Sequence, residues 1–200
     1  MASEYPAYLS RRSRARLLLR RLFLLPVRRF FHGQVLDIGS GIGEFLEIYR
    51  DAVGLDREMD NVSRCVSRGH RCLCADACRL PFLDRSFDGI LLNNVLEHLE
   101  YPDAAMKEVA RVLKKGGKLI IVGYVPGQPF PLDTMAMHYN EWDIKGSRLC
   151  TTAELLQVIR LVEEGKIRPV ISKTFPMEKV NEALRELPAE GTTGRLVLTL

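Results

Sequence analysis

Short apolar runs recur along the chain, several of them followed by a stretch with helical spacing of its apolar positions. "QVLDI" at 34–38, "AVGLD" at 52–56, "RCLCAD" at 71–76, "FDGILLN" at 87–93 and "KLIIVGY" at 118–124 read as strands. Between them, residues 43–50, 57–68 and 102–114 read as helices. The last has Pro102 near its start and Gly116 and Gly117 at its end, which is where each residue type belongs. Strands this short and this apolar predict a parallel sheet with both faces covered by helices.

After the fifth strand, "VPGQPFPLD" reads as a loop and "DIKGS" at 143–147 as a sixth strand. A helix is predicted from about Thr152 to Glu164, with Thr151 and Glu154 spaced as a capping box and Gly165 closing it. "IRPVISKTF", a helix over "MEKVNEALREL" and a final strand "GRLVLTL" follow. The fold class expected is α/β: a doubly wound, mainly parallel Rossmann-like sheet in strand order 3-2-1-4-5-6, with extra C-terminal strands. The C-terminal pair is expected to lie outside that sheet and to pair with itself or with a second copy of the chain.

Composition changes this picture little. A length of 200 residues is enough for one α/β domain. Apolar runs fall short of the ~20 residues a membrane span needs, and arginines interrupt "LLLRRLFLLPV". Four of the five cysteines lie between Cys65 and Cys78, a usage that fits reduced thiols in a soluble, cytoplasmic protein. Cys72 and Cys74 lie two apart on a strand and are expected to face the same way as buried thiols. Zinc sites prefer C-x2–4-C pairs, but Cys65, His70, Cys72, Cys74 and Cys78 read better as thiols and a histidine of the fold, so no metal is expected.

Charge is unevenly placed. Eight arginines precede Gly33 and face one acid, Glu4, whereas every lysine lies at or after Lys107. Residues 8–31 read as one or two basic amphipathic helices broken near Pro26. One reading is a helix covering a domain edge with its arginines in water. The others are a contact surface for nucleic acid or anionic lipid, and a mitochondrial presequence.

The chemistry is concentrated in "VLDIGSGIGEF" at 35–45, where a strand runs into Gly39, Gly41 and Gly43. A dinucleotide fingerprint is G-x-G-x-x-G, with the pyrophosphate at a helix N-terminus. Here the third glycine comes one residue early. Asp37, just before the loop, would repel a pyrophosphate and attract a cation. S-adenosylmethionine carries an ammonium and a sulfonium and no phosphate, so its charge suits the loop. Asp56 ends the second strand, where an acid can accept ribose hydroxyls, and this fits NAD equally well.

"DACRLPFLDRSFDGILLNNVLEHL" at 76–99 narrows the choice. With the glycine loop it resembles the class I S-adenosylmethionine-dependent methyltransferases over residues 33–122. The resemblance implies that Asp37, Gly39, Ser40, Gly41 and Gly43 line the methionine end of S-adenosylmethionine or S-adenosylhomocysteine. It places Asp56 at the ribose, Asp76 and Ala77 at the adenine, and Asn93 near the sulfonium. Methyl transfer is an in-line displacement in which alignment does much of the work. His98 is the candidate base, and a histidine packing at a helix start is the other reading. There is no N-P-P-Y after the fourth strand, which argues against the amide- and adenine-methylating branch.

The tail points elsewhere. "DIKGS", "EGKIRP", "FPMEKVNEAL" and "GRLVL" resemble the C-terminal part of zinc-type medium-chain alcohol dehydrogenases, over residues 119–200. The two families share a parallel sheet up to the fifth strand. The chain therefore divides into a basic segment (1–32), a methyltransferase-like half (33–122) and a dehydrogenase-like portion completing the same domain (123–200). It reads as a methyltransferase-like protein that binds S-adenosylmethionine, with its acceptor unknown. The alternatives are an engineered chimera with no biological substrate, an NAD-binding remnant, or a natural methyltransferase with a divergent tail. A homodimer through the C-terminal strands is the expected assembly.

Overall fold

A computed structural model describes residues 24–123, 132–147, 151–186 and 195–199. The chain forms two compact units, Met1–Leu149 and Cys150–Leu200. The first holds strands β1 (Val35–Ile38), β2 (Val53–Asp56), β3 (Cys72–Cys74), β4 (Phe87–Asn93), β5 (Leu113–Val122) and β6 (Asp143–Ser147). Its helices are α1 (24–30), α2 (Met59–Ser67), α3 (Pro102–Val112) and α4 (Thr134–Asn140). The six strands form one sheet in the order 3-2-1-4-5-6, with every neighbouring pair parallel, as the sequence pattern predicts.

Alternation along each strand supplies two apolar faces. Leu36, Ile38, Ile90, Leu92 and Leu119 join Ala105, Met106, Val109 and Val112 of α3 in one cluster. Val35, Leu91, Ile120 and Val122 join Leu24, Val27 and Phe31 from the α1 segment, with Val62 and Cys65 of α2, in the other. Gly89 in β4 is where the α1 segment comes closest, because a Cβ there would stand 2.3 Å from Phe31 Cδ1. Arg111 of α3 fastens the chain after β3: its guanidinium donates twice to Glu108, at 2.8 and 2.7 Å, and also to Asp84 and to the Leu80 and Phe82 carbonyls.

Local expectations fail where glycine or a cap decides the ending. Residues 43–50 form a run of turns and not a helix. Gly41 and Gly43 sit at φ 54° and 85°, and Ile48 and Tyr49 both donate to the Phe45 carbonyl, so regular helical bonding does not propagate. The helix expected over 102–114 ends at Val112; Gly116 and Gly117 lie instead in β5, where the ladder to β4 shifts register between Leu113 and Lys118. Helix α4 lies between the expected loop and the sixth strand, where no element was expected, and Asp133 caps it by accepting from Ala136 N–H at 2.9 Å. Pro26 lies in the first described turn of α1, and the residues before 24, which a break there would separate from it, lie outside the described residues. Residues 8–23 of the expected basic helices and 125–131 of the expected loop lie outside the described residues.

The second unit contains α5 (Thr152–Glu163), β7 (Ile171–Pro176), α6 (Val180–Glu186) and β8 (Arg195–Thr199). The Thr151–Glu154 capping box is present. β7 and β8 pair with each other, in parallel, as a two-stranded sheet with Phe175 and Ala183 buried. None of the helices among the described residues is long and apolar enough to cross a membrane.

Two outcomes follow from this packing. Gly89→Ala is expected to lower stability by about 1–3 kcal/mol through overpacking against Phe31, with partial recovery in the double variant carrying Phe31→Leu, both read by urea unfolding. The Arg111 hydrogen bonds hold the Glu108 carboxyl below its ordinary range, against the opposing effect of burial. Its contribution is thus fully present above the unfolded-state value and is lost as pH falls through the folded one. The stability gap between the unmodified chain and Glu108→Gln should accordingly be widest near neutral pH and shrink on acidification.

Candidate cofactor-binding site

A cavity of about 820 Å³ opens at the carboxyl ends of β1, β2 and β4. Asp37 and the turn of Gly39, Ser40 and Gly41 form one wall, and Asp56 comes from the end of β2. Asp76 and Ala77 follow β3, and Asn93 and the exposed His98 follow from β4. Gly43 is the one residue of the expected set that is not brought there. It lies against α2, where a Cβ would meet Cys65 Sγ at 2.8 Å and His70 Cδ2 at 3.0 Å.

Four of the loop's backbone amides are spent inside the protein. Gly39 and Ser40 N–H donate to the Leu55 carbonyl at 2.7 and 3.0 Å, and Gly43 N–H donates to Ser40 O at 3.0 Å. Gly41 N–H donates to Asp56 Oδ2 at 2.8 Å. Gly39 adopts φ 70°, and a Cβ on it would meet Val95 Cγ2 at 2.5 Å, so both conformation and space require glycine. A pyrophosphate loop needs such amides turned outward to the anion. Here they lock β1 to β2.

Asp56 is buried and accepts three hydrogen bonds, the other two from Glu58 N–H at 2.9 Å and Asn61 Nδ2 at 3.2 Å. It therefore has less room for a ligand than its position at the strand end suggests. Among the described residues, the cavity wall carries Asp37, Glu44, Asp56, Glu58 and Asp76 against the guanidinium of Arg57. Asn61, Glu44 and Glu58 were not singled out from the sequence. Asn61 had a signal, since it occupies the α2 face shared with buried Val62 and Cys65 yet is polar.

Beneath the loop, Cys72 Sγ lies 3.4 Å from Ser40 Oγ. A hydrogen bond between the Cys65 and Cys72 side chains holds the Cys72 thiol below its ordinary value and pushes that of Cys65 up. Cys74, expected to be buried beside Cys72, is exposed. β3 is the sheet's edge strand, which leaves Cys74 uncovered at its carboxyl end.

Residues 36–121 match the methyltransferase domain family, and residues 79–198, more than half of the chain, match zinc-binding dehydrogenase. The chain belongs to the zinc-binding dehydrogenase family and carries a methyltransferase domain. The two matches overlap at 79–121, the β4–α3–β5 unit common to both. A tRNA (carboxymethyluridine(34)-5-O)-methyltransferase alkbh8 of Xenopus tropicalis is 34% identical over 92 residues, covering 44% of this chain and 15% of that protein. An alcohol dehydrogenase of Geobacillus stearothermophilus is 28% identical over 96 residues, covering 48% of this chain and 28% of that protein. The solved structure of AibC shares the fold at a TM-score of 0.54 and 19% identity, covering 90% of this chain and 52% of that one. The chain spans less than half the length of the curated relatives it matches first, 43% and 39% of them. The zinc of the dehydrogenase family's description finds no cluster of three or more His, Cys, Asp or Glu suited to hold it among the described residues, and no zinc chemistry is assigned.

The methyltransferase domain thus depends on Asp56 to hold its glycine loop. In Asp56→Ala the Gly41 amide loses its acceptor, and its hydrogen exchange is expected to accelerate by about tenfold or more. Ile90 and Leu91, in the middle of the sheet, should keep their protection.

Proposed function

We propose that the methyltransferase domain binds S-adenosylmethionine in this cavity and passes its methyl group to an acceptor. The observation that carries this reading is the charge of the cavity wall, five carboxylates against one guanidinium. Such a wall favours a ligand with cationic groups and disfavours a pyrophosphate. The spent amides of the glycine loop point the same way. When bound, S-adenosylmethionine supplies an electrophilic methyl group on a sulfonium. The chain's residues do the rest by position: Asp37, Gly39, Ser40 and Gly41 would line the methionine end, Asp56 the ribose, Asp76 and Ala77 the adenine, and Asn93 the region of the sulfonium. His98, on the cavity wall, is the candidate to take a proton from an acceptor hydroxyl. The dehydrogenase match over residues 79–198 favours NAD as the second reading.

The same reading extends along the chain. Residues 33–122 carry the cofactor site, residues 123–200 derive from a dehydrogenase-type partner in a chimeric chain, and residues 1–32 form a basic segment. Nucleic acid as a partner of that segment is supported by its eight arginines, of which Arg28 and Arg29 are exposed on α1. The tRNA-methyltransferase name of the Xenopus relative is consistent with it. A homodimer through β7 and β8 is supported by their open edges and by exposed Ile171 and Leu198. The free thiols among the described residues suit the cytoplasm.

Calorimetry with S-adenosylhomocysteine and NAD tests the proposal. S-adenosylhomocysteine is expected to bind and NAD not to bind comparably; equal affinities would sink the reading. Asp56→Ala should weaken S-adenosylhomocysteine binding by roughly 1–3 kcal/mol through lost hydrogen bonds to a charged acceptor.

A further inference from the structure

Asp56 is a crowded acceptor. Its Oδ2 takes Gly41 N–H at 2.8 Å, and its Oδ1 takes Glu58 N–H at 2.9 Å and the Asn61 amide at 3.2 Å. An ionised carboxylate offers about four lone-pair positions. Three are filled, and the open one is on Oδ2. A ribose brings two neighbouring hydroxyls, each with a hydrogen to donate. Asp56 therefore has a place for one of them.

A second acceptor lies on the same wall. Asn61 is 4% exposed and lines the cavity beside Asp56. Chemistry dictates how its amide is turned: a carboxylate only accepts, so the amide nitrogen faces Asp56 and the carbonyl is the end left over. That carbonyl oxygen, Oδ1, is buried and has no hydrogen-bond partner among the described residues. Buried acceptors are rarely left without a donor, because losing water without a replacement bond is costly. The count on one side, one acceptor short, matches the count on the other, one acceptor spare.

We infer that Asn61 Oδ1 and the open lone pair of Asp56 Oδ2 divide between them the two ribose hydroxyls of the bound adenosyl ligand. The division rests on the cofactor reading above and adds to it a positioning residue on α2. Asn61 then has two tasks, bracing Asp56 through its nitrogen and receiving the ligand through its oxygen.

A cycle between protein and ligand separates the two tasks. Calorimetry on the full chain is run with S-adenosylhomocysteine and with its 2′-deoxy and 3′-deoxy analogues. In the unmodified chain each deletion is expected to weaken binding by roughly three- to tenfold, the value of one hydrogen bond. In Asn61→Leu one deoxy analogue should bind as well as the parent ligand, while the other keeps its penalty. A residue that only braces Asp56 would weaken all three ligands alike and leave both penalties intact, and that result overturns the inference. Thermal unfolding checks that the variant is folded, and Asn61→Ala repeats the cycle if leucine is not accommodated. Failure of S-adenosylhomocysteine to bind the unmodified chain would instead overturn the cofactor reading, and the division of hydroxyls with it.

Discussion

One carboxylate holds the site together. Asp56 ends β2 and receives the Gly41 amide from the glycine loop, the Glu58 amide at the start of α2 and the Asn61 side chain from within α2. The glycine loop and α2 are thereby referred to one strand end. The Leu55 carbonyl beside it takes the two preceding loop amides. Because β1 and β2 are parallel neighbours, the loop that leaves β1 can reach the end of β2 with a short turn, and glycine at 39 gives that turn its backbone conformation.

This arrangement spends glycine-loop amides within the protein. The same strand-loop placement hosts dinucleotides when the loop amides face outward and the helix that follows begins at once. Here the amides face the neighbouring strand, and the segment from Gly43 to Tyr49 is a run of turns. The cavity wall is rich in carboxylates. The electrostatics and the hydrogen bonding are two consequences of one geometry.

The methyltransferase and dehydrogenase matches overlap on β4, α3 and β5, where the two folds have the same local problem to solve. A buried parallel strand, a covering helix and a second buried strand need apolar runs of the same length and order in either family. β6 then continues the sheet in parallel beside β5, with Lys118 opposite Asp143 and Val122 opposite Ser147. A parallel neighbour at that edge is what a dehydrogenase-type continuation supplies. The second unit closes its own β-α-β turn with β7, α6 and β8.

Much of this was legible before any coordinates. Strand positions followed from runs of buried aliphatic residues, because a central parallel strand has no polar face to disguise it; β4 falls at the expected residues. The cavity residues Asp37, Ser40 and Asp56 stood at strand ends, and strand ends share one rim of a parallel sheet. Element endings were not legible. Gly116 and Gly117 look like a helix stop and serve a β-bulge, and Asp133 caps a helix that a proline-rich stretch conceals. Nor did the chain reveal Asn61 or the filling of Asp56, since both depend on how the glycine loop and α2 fold back onto the strand end. Local pattern determined the sheet and its rim; only the packing of loop, strand and helix decided how the lone pairs of Asp56 are filled.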